Sequence, residues 1–360
     1  MIDGNKLLAS SDYIQLLKSI INKTLPINQF QGKTILIAGA TGLLGSCLID
    51  FLFFIQKEFN YSFKIIALGR SEERLKERFS SYLKNQNFIF IEHDVLKPLS
   101  NKLENYNPDY IFHLASNTHP VDYAKKPIET LLANIEGTKN LLEYACNHNI
   151  KRFIYASSVE IYGENKNNFS KFNENDFGYI DCNTLRACYS EGKRAGEALC
   201  QAYISEKKID IVIPRFCRLF GPTMLMSDTK ALSQFIKNSI NGENIILKSE
   251  GKQYFSYLNI FDAVSALLYC LFFGKNGEAY NISDDKSDIT LKELAELIAK
   301  KTKTKIIFDL PSELEKAGYS KATKAILNSK KLQDLGWTAL YNIEQGIDFT
   351  ISIIKELTNS

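Results

Sequence analysis

A chain of 360 residues, 45% hydrophobic and 24% charged, has the make-up of an ordinary soluble globular protein, with enough material for one large or two closely joined domains. Lys plus Arg number 44 against 41 acids, so the net charge of +3, with the lysines scattered, argues against a nucleic-acid partner. The first residues carry acids and lack the basic start of a signal peptide, and the apolar runs at 48–55 and 263–273 are too short to span a bilayer, so no membrane anchor is expected. The cysteines at 47, 146, 182, 188, 200, 217 and 270 form no CxxC pair and read as reduced, mostly buried thiols of a cytoplasmic protein.

Residues 1–30 precede the first strand and place Tyr13, Leu16, Leu17, Ile20 and Ile21 at helical spacing, an extension expected to pack on the body. The organising stretch follows at 34–45, TILIAGATGLLG. Ile35, Leu36 and Ile37 suit a buried parallel strand, which breaks at Gly39, Gly42 and Gly45 into a turn and a helix over about 44–54. Gly39 allows a tight turn, Gly42 lets backbone N–H groups close on a pyrophosphate, and Gly45 lets the helix pack on the strand. With Thr41, Leu43 and Leu44 completing the turn, this predicts a dinucleotide site.

The second strand, 63–69, ends in Arg70 and Ser71. An acid there would bind the ribose hydroxyls of NAD, whereas Arg70 can pair with the 2′-phosphate of NADP, so NADP is favoured over NAD. A solvated or adenine-stacked Arg70 is the alternative. The third strand, 87–94, ends in Asp94 and Val95, placed to meet the adenine edge; the fourth, 109–115, runs through Leu114 and Ala115 into Ser116, Asn117 and Thr118, which would pass beneath the cofactor. His113 reads as a core histidine, and His93 and His119 have no partners at metal-ligand spacing, so no metal is expected. A helix over 129–147 carries Asn134, Gly137 and Thr138 where backbone can approach a neighbour, and a fifth strand, 152–158, ends at Ser158.

Tyr189 and Lys193 lie four residues apart on a helix running to about 205, so they share a face. An ammonium beside a phenol, together with a positive nicotinamide, favours phenolate, which can take a proton from a substrate hydroxyl while the carbon beneath is oxidised. Ser158 can hydrogen-bond the same hydroxyl.

GATGLLG, Asp94-Val95, HLAS at 113–116, ASSVEIYG at 156–163, YSEGK at 189–193, PRFCRLFGP at 214–222 and LGW at 335–337 together resemble the extended short-chain dehydrogenase/reductases of the nucleotide-sugar epimerase and dehydratase family, over about 31–350. CYSEGKR, Glu160 and the GPTM turn look most like UDP-glucuronate decarboxylases. The resemblance implies an α/β fold: a Rossmann-like doubly wound parallel sheet at 31–222, with 254–270 returning to it, and a smaller C-terminal α/β substrate domain from 223–253 and 271–357. It implies a homodimer through the helices at 129–147 and 189–205, and a nucleoside-diphosphate sugar as substrate.

By that pattern Ser158, Tyr189 and Lys193 carry out oxidation at C4, and Glu160 is an added carboxylate near the sugar. Thr118, Arg186, Arg218 and Phe255 lie on the substrate side. Three departures stand out: Val159 replaces the acid that dehydratases carry beside Glu160, Arg218 replaces an Asn, and Phe255 replaces an Arg. A cation is lost at one pocket position and gained at another, so Arg218 is expected to hold a phosphate or carboxylate. The reading is a C4-oxidising, decarboxylase-like enzyme, with a C4 epimerase, a C4 dehydrogenase/reductase or a cofactor-binding protein without chemistry as alternatives. Further on, apolar runs at 244–247 and 280–283, a helix over 291–301 with a Thr290/Glu293 capping box, solvated Lys321 and Lys324, and Trp337 as a packing residue complete the chain.

Overall fold

Short β-branched and aromatic runs alternating with amphipathic stretches require a parallel sheet covered on both faces. The computed structural model, which describes residues 4–21, 24–99, 103–118, 120–309 and 322–359, shows that arrangement. His119 and Lys321 lie outside the described residues. The strands are β1 (Thr34–Ala38), β2 (Lys64–Gly69), β3 (Phe88–Glu92), β4 (Tyr110–His113), β5 (Arg152–Tyr155), β6 (Ser157–Ser158), β7 (Ile211–Phe216), β8 (Arg218–Phe220), β9 (Ile245–Leu247), β10 (Tyr254–Asn259), β11 (Ala279–Ile282), β12 (Asp288–Thr290), β13 (Ile306–Phe308) and β14 (Lys324–Ala325). The larger helices are α1 (Gly4–Ala9), α2 (Ser11–Ser19), α3 (Leu43–Phe59), α4 (Glu72–Arg78), α5 (Pro120–Lys125), α6 (Pro127–Asn147), α7 (Ala187–Lys207), α8 (Ala231–Ile240), α9 (Ile260–Phe273), α10 (Leu291–Thr302) and α11 (Ile343–Asn359).

The large sheet runs β11-β7-β5-β4-β1-β2-β3, with β6 beside β7, and every pairing in it is parallel. β1 sits between β4 and β2, so the chain winds outward from it in both directions and a crevice opens at its carboxyl end. Successive β1 residues point to opposite faces: Ile35 and Ile37 join the core that includes α3, α9 and the N-terminal helices, while Leu36 and Ala38 join Leu141, Leu142 and Cys200 of α6 and α7.

The smaller unit differs from the expected division. β11 pairs with β7 and forms the edge of the large sheet, although 271 onward was expected in the substrate domain. β10 pairs instead with β8, β12 and β14, because 218–220 leaves the large sheet at the Arg218 turn and offers β10 a parallel partner. Helix α3 extends past the expected end to Phe59, where Asn60 closes it in the left-handed conformation at φ 53°. The Thr290/Glu293 capping box forms as expected, Trp337 is buried, and no described helix is long and apolar enough to cross a membrane.

The N-terminal extension packs on α3, burying Tyr13, Leu16, Leu17 and Ile20. Its anchor is polar. Tyr13 Oη donates to Asp50 Oδ2 at 2.6 Å, Tyr82 Oη donates to Asp50 Oδ1 at 3.1 Å, and Arg78 ion-pairs with the same carboxylate. Asp50 and Arg78 are almost wholly inaccessible, so each depends on the other for compensation of its buried charge. Asp50→Ala should therefore destabilise the fold by about 3–5 kcal/mol, read from urea unfolding, whereas the paired change Asp50→Leu with Arg78→Met should recover most of that loss.

Candidate active site

The turn after β1 is built by close backbone approach. Gly39 has φ +85°, and a Cβ there would lie 2.7 Å from backbone atoms of Leu114 and Ala115. A Cβ at Gly45 would strike the Gly39 carbonyl, whereas one at Gly42, the N-cap of α3, would meet Gly39 O alone, at 3.3 Å. The turn is thus closed toward the sheet and open at the helix N-terminus, beside Thr41, Leu43 and Leu44, which suits a pyrophosphate. Thr223, from the GPTM turn, donates to Leu43 O at 2.8 Å and ties the smaller unit to this turn.

The strand-end residues line up along the same crevice. Val95 lies against Gly137, and Asn140 donates to Val95 O at 2.8 Å, so helix α6 runs uninterrupted past the expected close approach. Asp94 Oδ1 accepts from Leu96 N at 3.1 Å, and Ser116 Oγ donates to Asn134 Oδ1 at 2.9 Å. His113 is a core histidine: burial lowers its pKa to about 3, and Nε2 meets Thr138 Oγ1 at 3.0 Å. Arg70 is engaged, donating to Glu129 Oε1 at 2.6 Å and Asn117 Oδ1 at 3.1 Å. Thr118 Oγ1 accepts from Lys230 Nζ at 3.3 Å. No cluster of three or more metal-ligating side chains occurs among the described residues.

Ser158, Tyr189 and Lys193 come together where β6 meets the start of α7. Ser158 Oγ accepts from Glu160 N at 3.2 Å, capping a short turn that aims Glu160 at the same place. Burial raises the Tyr189 phenol to about 12; a hydrogen bond from Ser158 pulls it down, Glu160 raises it, and Arg186 lowers it. Lys193 is turned to the carbonyl of Ala156, at 2.7 Å, and burial draws its amine down to about 7. Among the charged groups that act on the phenol, Arg186 lowers it, while the Lys193 ammonium is engaged by the Ala156 carbonyl.

Glu160 sits between two guanidiniums. Arg186 Nη2 donates to Oε2 at 2.7 Å and Arg218 Nη2 to Oε1 at 3.4 Å. Arg218 Cζ lies 3.4 Å from the Phe255 ring centroid, so the gained cation stacks on the residue standing where a cation was lost. Arg186 lies 4.6 Å from the Tyr123 ring, which in turn stacks on Tyr189 at 4.9 Å. Arg186 Nε and Nη1 and Arg218 Nη1 are buried with no hydrogen-bond partner among the described residues. A pocket lined by Glu160, Thr184, Arg186, Ala187 and Ser190 adjoins them. Buried guanidinium donors without partners suit an incoming anion.

Sequence reasoning missed Tyr123, Lys230 and Glu129. Tyr123 stands in the short helix α5 and Lys230 just before α8, neither with a periodic signal around it, and Glu129 looked like an ordinary acid in the first turn of a helix.

The family model described as "Epimerase: NAD dependent epimerase/dehydratase family" matches residues 35–283. UDP-glucuronic acid decarboxylase 1 of Danio rerio is 30% identical over 319 residues, 89% of this chain and 72% of that protein. Among solved structures, UDP-glucuronic acid 4-epimerase of Bacillus cereus, in complex with UDP-glucuronic acid and NAD, aligns with a TM-score of 0.75 at 23% identity, covering 90% of this chain and 99% of that one. The dTDP-glucose 4,6-dehydratase of Streptomyces venezuelae, with NAD bound, gives 0.77 at 19% identity, covering 90% and 97%.

Lys193 generates a stability prediction. Its folded pKa of about 7 lies below the ordinary 10.5, so between those values the unfolded chain binds more protons and stability rises with pH; the contribution is lost as pH falls toward 7. Lys193→Met should raise the urea midpoint at neutral pH and flatten its rise toward alkaline pH.

Proposed function

Because the chain belongs to the NAD dependent epimerase/dehydratase family, we propose that it oxidises C4 of a nucleoside-diphosphate sugar bearing a C6 carboxylate and releases that carboxylate as carbon dioxide. The observation that carries the reading is the pair of guanidiniums, Arg186 and Arg218, with buried donors that have no partner among the described residues, beside Tyr189. A sugar carboxylate would satisfy those donors, and Glu160 keeps the two arginines aligned.

The nicotinamide dinucleotide, held by the glycine turn, supplies the two-electron acceptor and donor for C4. Tyr189 takes the proton of the C4 hydroxyl while Ser158 holds its oxygen. The resulting 4-ketone is β to the C6 carboxylate, so the C5–C6 bond can break with its electron pair moving onto the ketone oxygen. Tyr189 and Ser158 lie where that charge develops. A proton then adds at C5, and reduction at C4 closes the cycle. Val159, lacking an acid, offers no proton to a C6 hydroxyl leaving as water.

Arg70 by itself favours NADP, but its pairing with Glu129 offsets that advantage. We place the enzyme in the cytoplasm as a homodimer through α6 and α7, where Ile128 and Leu132 of α6 and Leu185, just before α7, are exposed.

Purified protein incubated with UDP-glucuronate should give a product lighter by one carbon dioxide. An unchanged mass with inverted C4 would favour epimerisation of the same uronate, and a 4-keto-6-deoxy product from a hexose substrate would overturn the reading of the pocket. Tyr189→Phe should bind the dinucleotide but lose at least ~100-fold in turnover. Arg218→Ala should weaken uronate binding by about 2–5 kcal/mol while plain hexose nucleotides bind as before.

A further inference from the structure

We propose that Glu129, in the first turn of α6, selects the cofactor: by occupying Arg70 it admits an adenosine ribose with both hydroxyls and rejects one carrying a 2′-phosphate. The inference rests on the dinucleotide-dependent reading above and reverses the preference that Arg70 alone suggests.

The position follows from topology. Arg70 comes directly after β2, Asn117 comes after β4, and Glu129 opens α6. Because β2 and β4 flank β1 on opposite sides, these groups meet across the carboxyl end of the strand that carries the glycine turn, along the crevice where the adenosine ribose of a dinucleotide lies.

The contacts form a closed set. Glu129 Oε1 accepts from Arg70 Nη1 at 2.6 Å and from Asn117 Nδ2 at 3.2 Å, while Arg70 Nη2 donates to Asn117 Oδ1 at 3.1 Å. Lys126 Nζ lies 3.6 Å from Glu129 Oε2, so both carboxylate oxygens face cations. Asn117 is buried and fixes the arrangement from below, and the Arg70 and Glu129 side chains remain partly open to solvent. Burial opposes ionisation of Glu129, but hydrogen bonds from Asn117 and Arg70 outweigh it and hold the carboxyl below its usual range, so it is anionic at neutral pH.

Such a site discriminates by charge. Ribose hydroxyls can donate to Glu129 and accept from Arg70 without disturbing the pair. A 2′-phosphate would have to take Arg70 from Glu129 and sit beside the displaced carboxylate, a like-charge contact that acts as a repulsive selector. The signal is absent at the end of β2 because the acid is delivered from another element.

Calorimetric titration of the purified protein with NAD and NADP tests this. The unmodified protein should bind NAD at least about tenfold more tightly than NADP. Glu129→Gln, which keeps the shape and removes the charge, should narrow or reverse that ratio mainly by tightening NADP, since Arg70 and Lys126 become available to the phosphate. Preference for NADP in the unmodified protein, or an unchanged ratio in Glu129→Gln, would overturn the inference while leaving the dinucleotide-dependent reading intact. Binding of neither dinucleotide would overturn both.

Discussion

The working edge of the large sheet depends on backbone meeting backbone where no side chain fits. Gly39 lets the end of β1 press on Leu114 and Ala115, and Gly45 lets α3 start directly over that turn. A related constraint holds on the other face, where the Tyr155 side chain fills the space that a Cβ at Gly196 would take. That approach seats α7 on β5, which brings Tyr189 and Lys193 to the strand ends that carry Ser158. Close packing of this kind is rigid, and rigid placement is what a proton transfer between phenol and substrate hydroxyl requires.

Charge within this frame is arranged in compensated groups rather than isolated ions. Asp50 with Arg78 locks the N-terminal helices to α3, and Arg215 with Glu197 sits fully bonded beneath the sheet edge. The Glu160 cluster is different, because its carboxylate faces two guanidiniums, three of whose nitrogens have no partner among the described residues. A structural ion pair would have consumed its donors. Buried guanidinium donors of this kind beside Tyr189 suit an anionic group.

Function and stability pull apart at α7. Lys193 is buried at a site that disfavours its charge, and Tyr189 is buried where ionisation is disfavoured too. The cost falls on Lys193, whose ammonium the fold disfavours near neutral pH, whereas the phenol of Tyr189 is neutral in both states there.

Much of this was legible in the residues. The period of the apolar runs and the spacing of Gly39, Gly42 and Gly45 set the strand, turn and helix, because those signals are local, and the Tyr189–Lys193 interval placed both on one helical face. The exchange at 218 and 255 was visible as a gain and a loss, but its meaning needed the fold: only the parallel pairing of β8 with β10 brings Arg218 onto Phe255. Lys193 facing Ala156, Tyr123 stacking on Tyr189, and Glu129 reaching Arg70 across β1 were likewise decided by tertiary structure. These contacts join residues from separate elements, and a side chain's partner across a crevice leaves no trace in its own sequence neighbours. The sequence by itself determined which local elements form and which residues could do chemistry; the tertiary structure decided which charges those residues face, because electrostatic partners are chosen by distance in space.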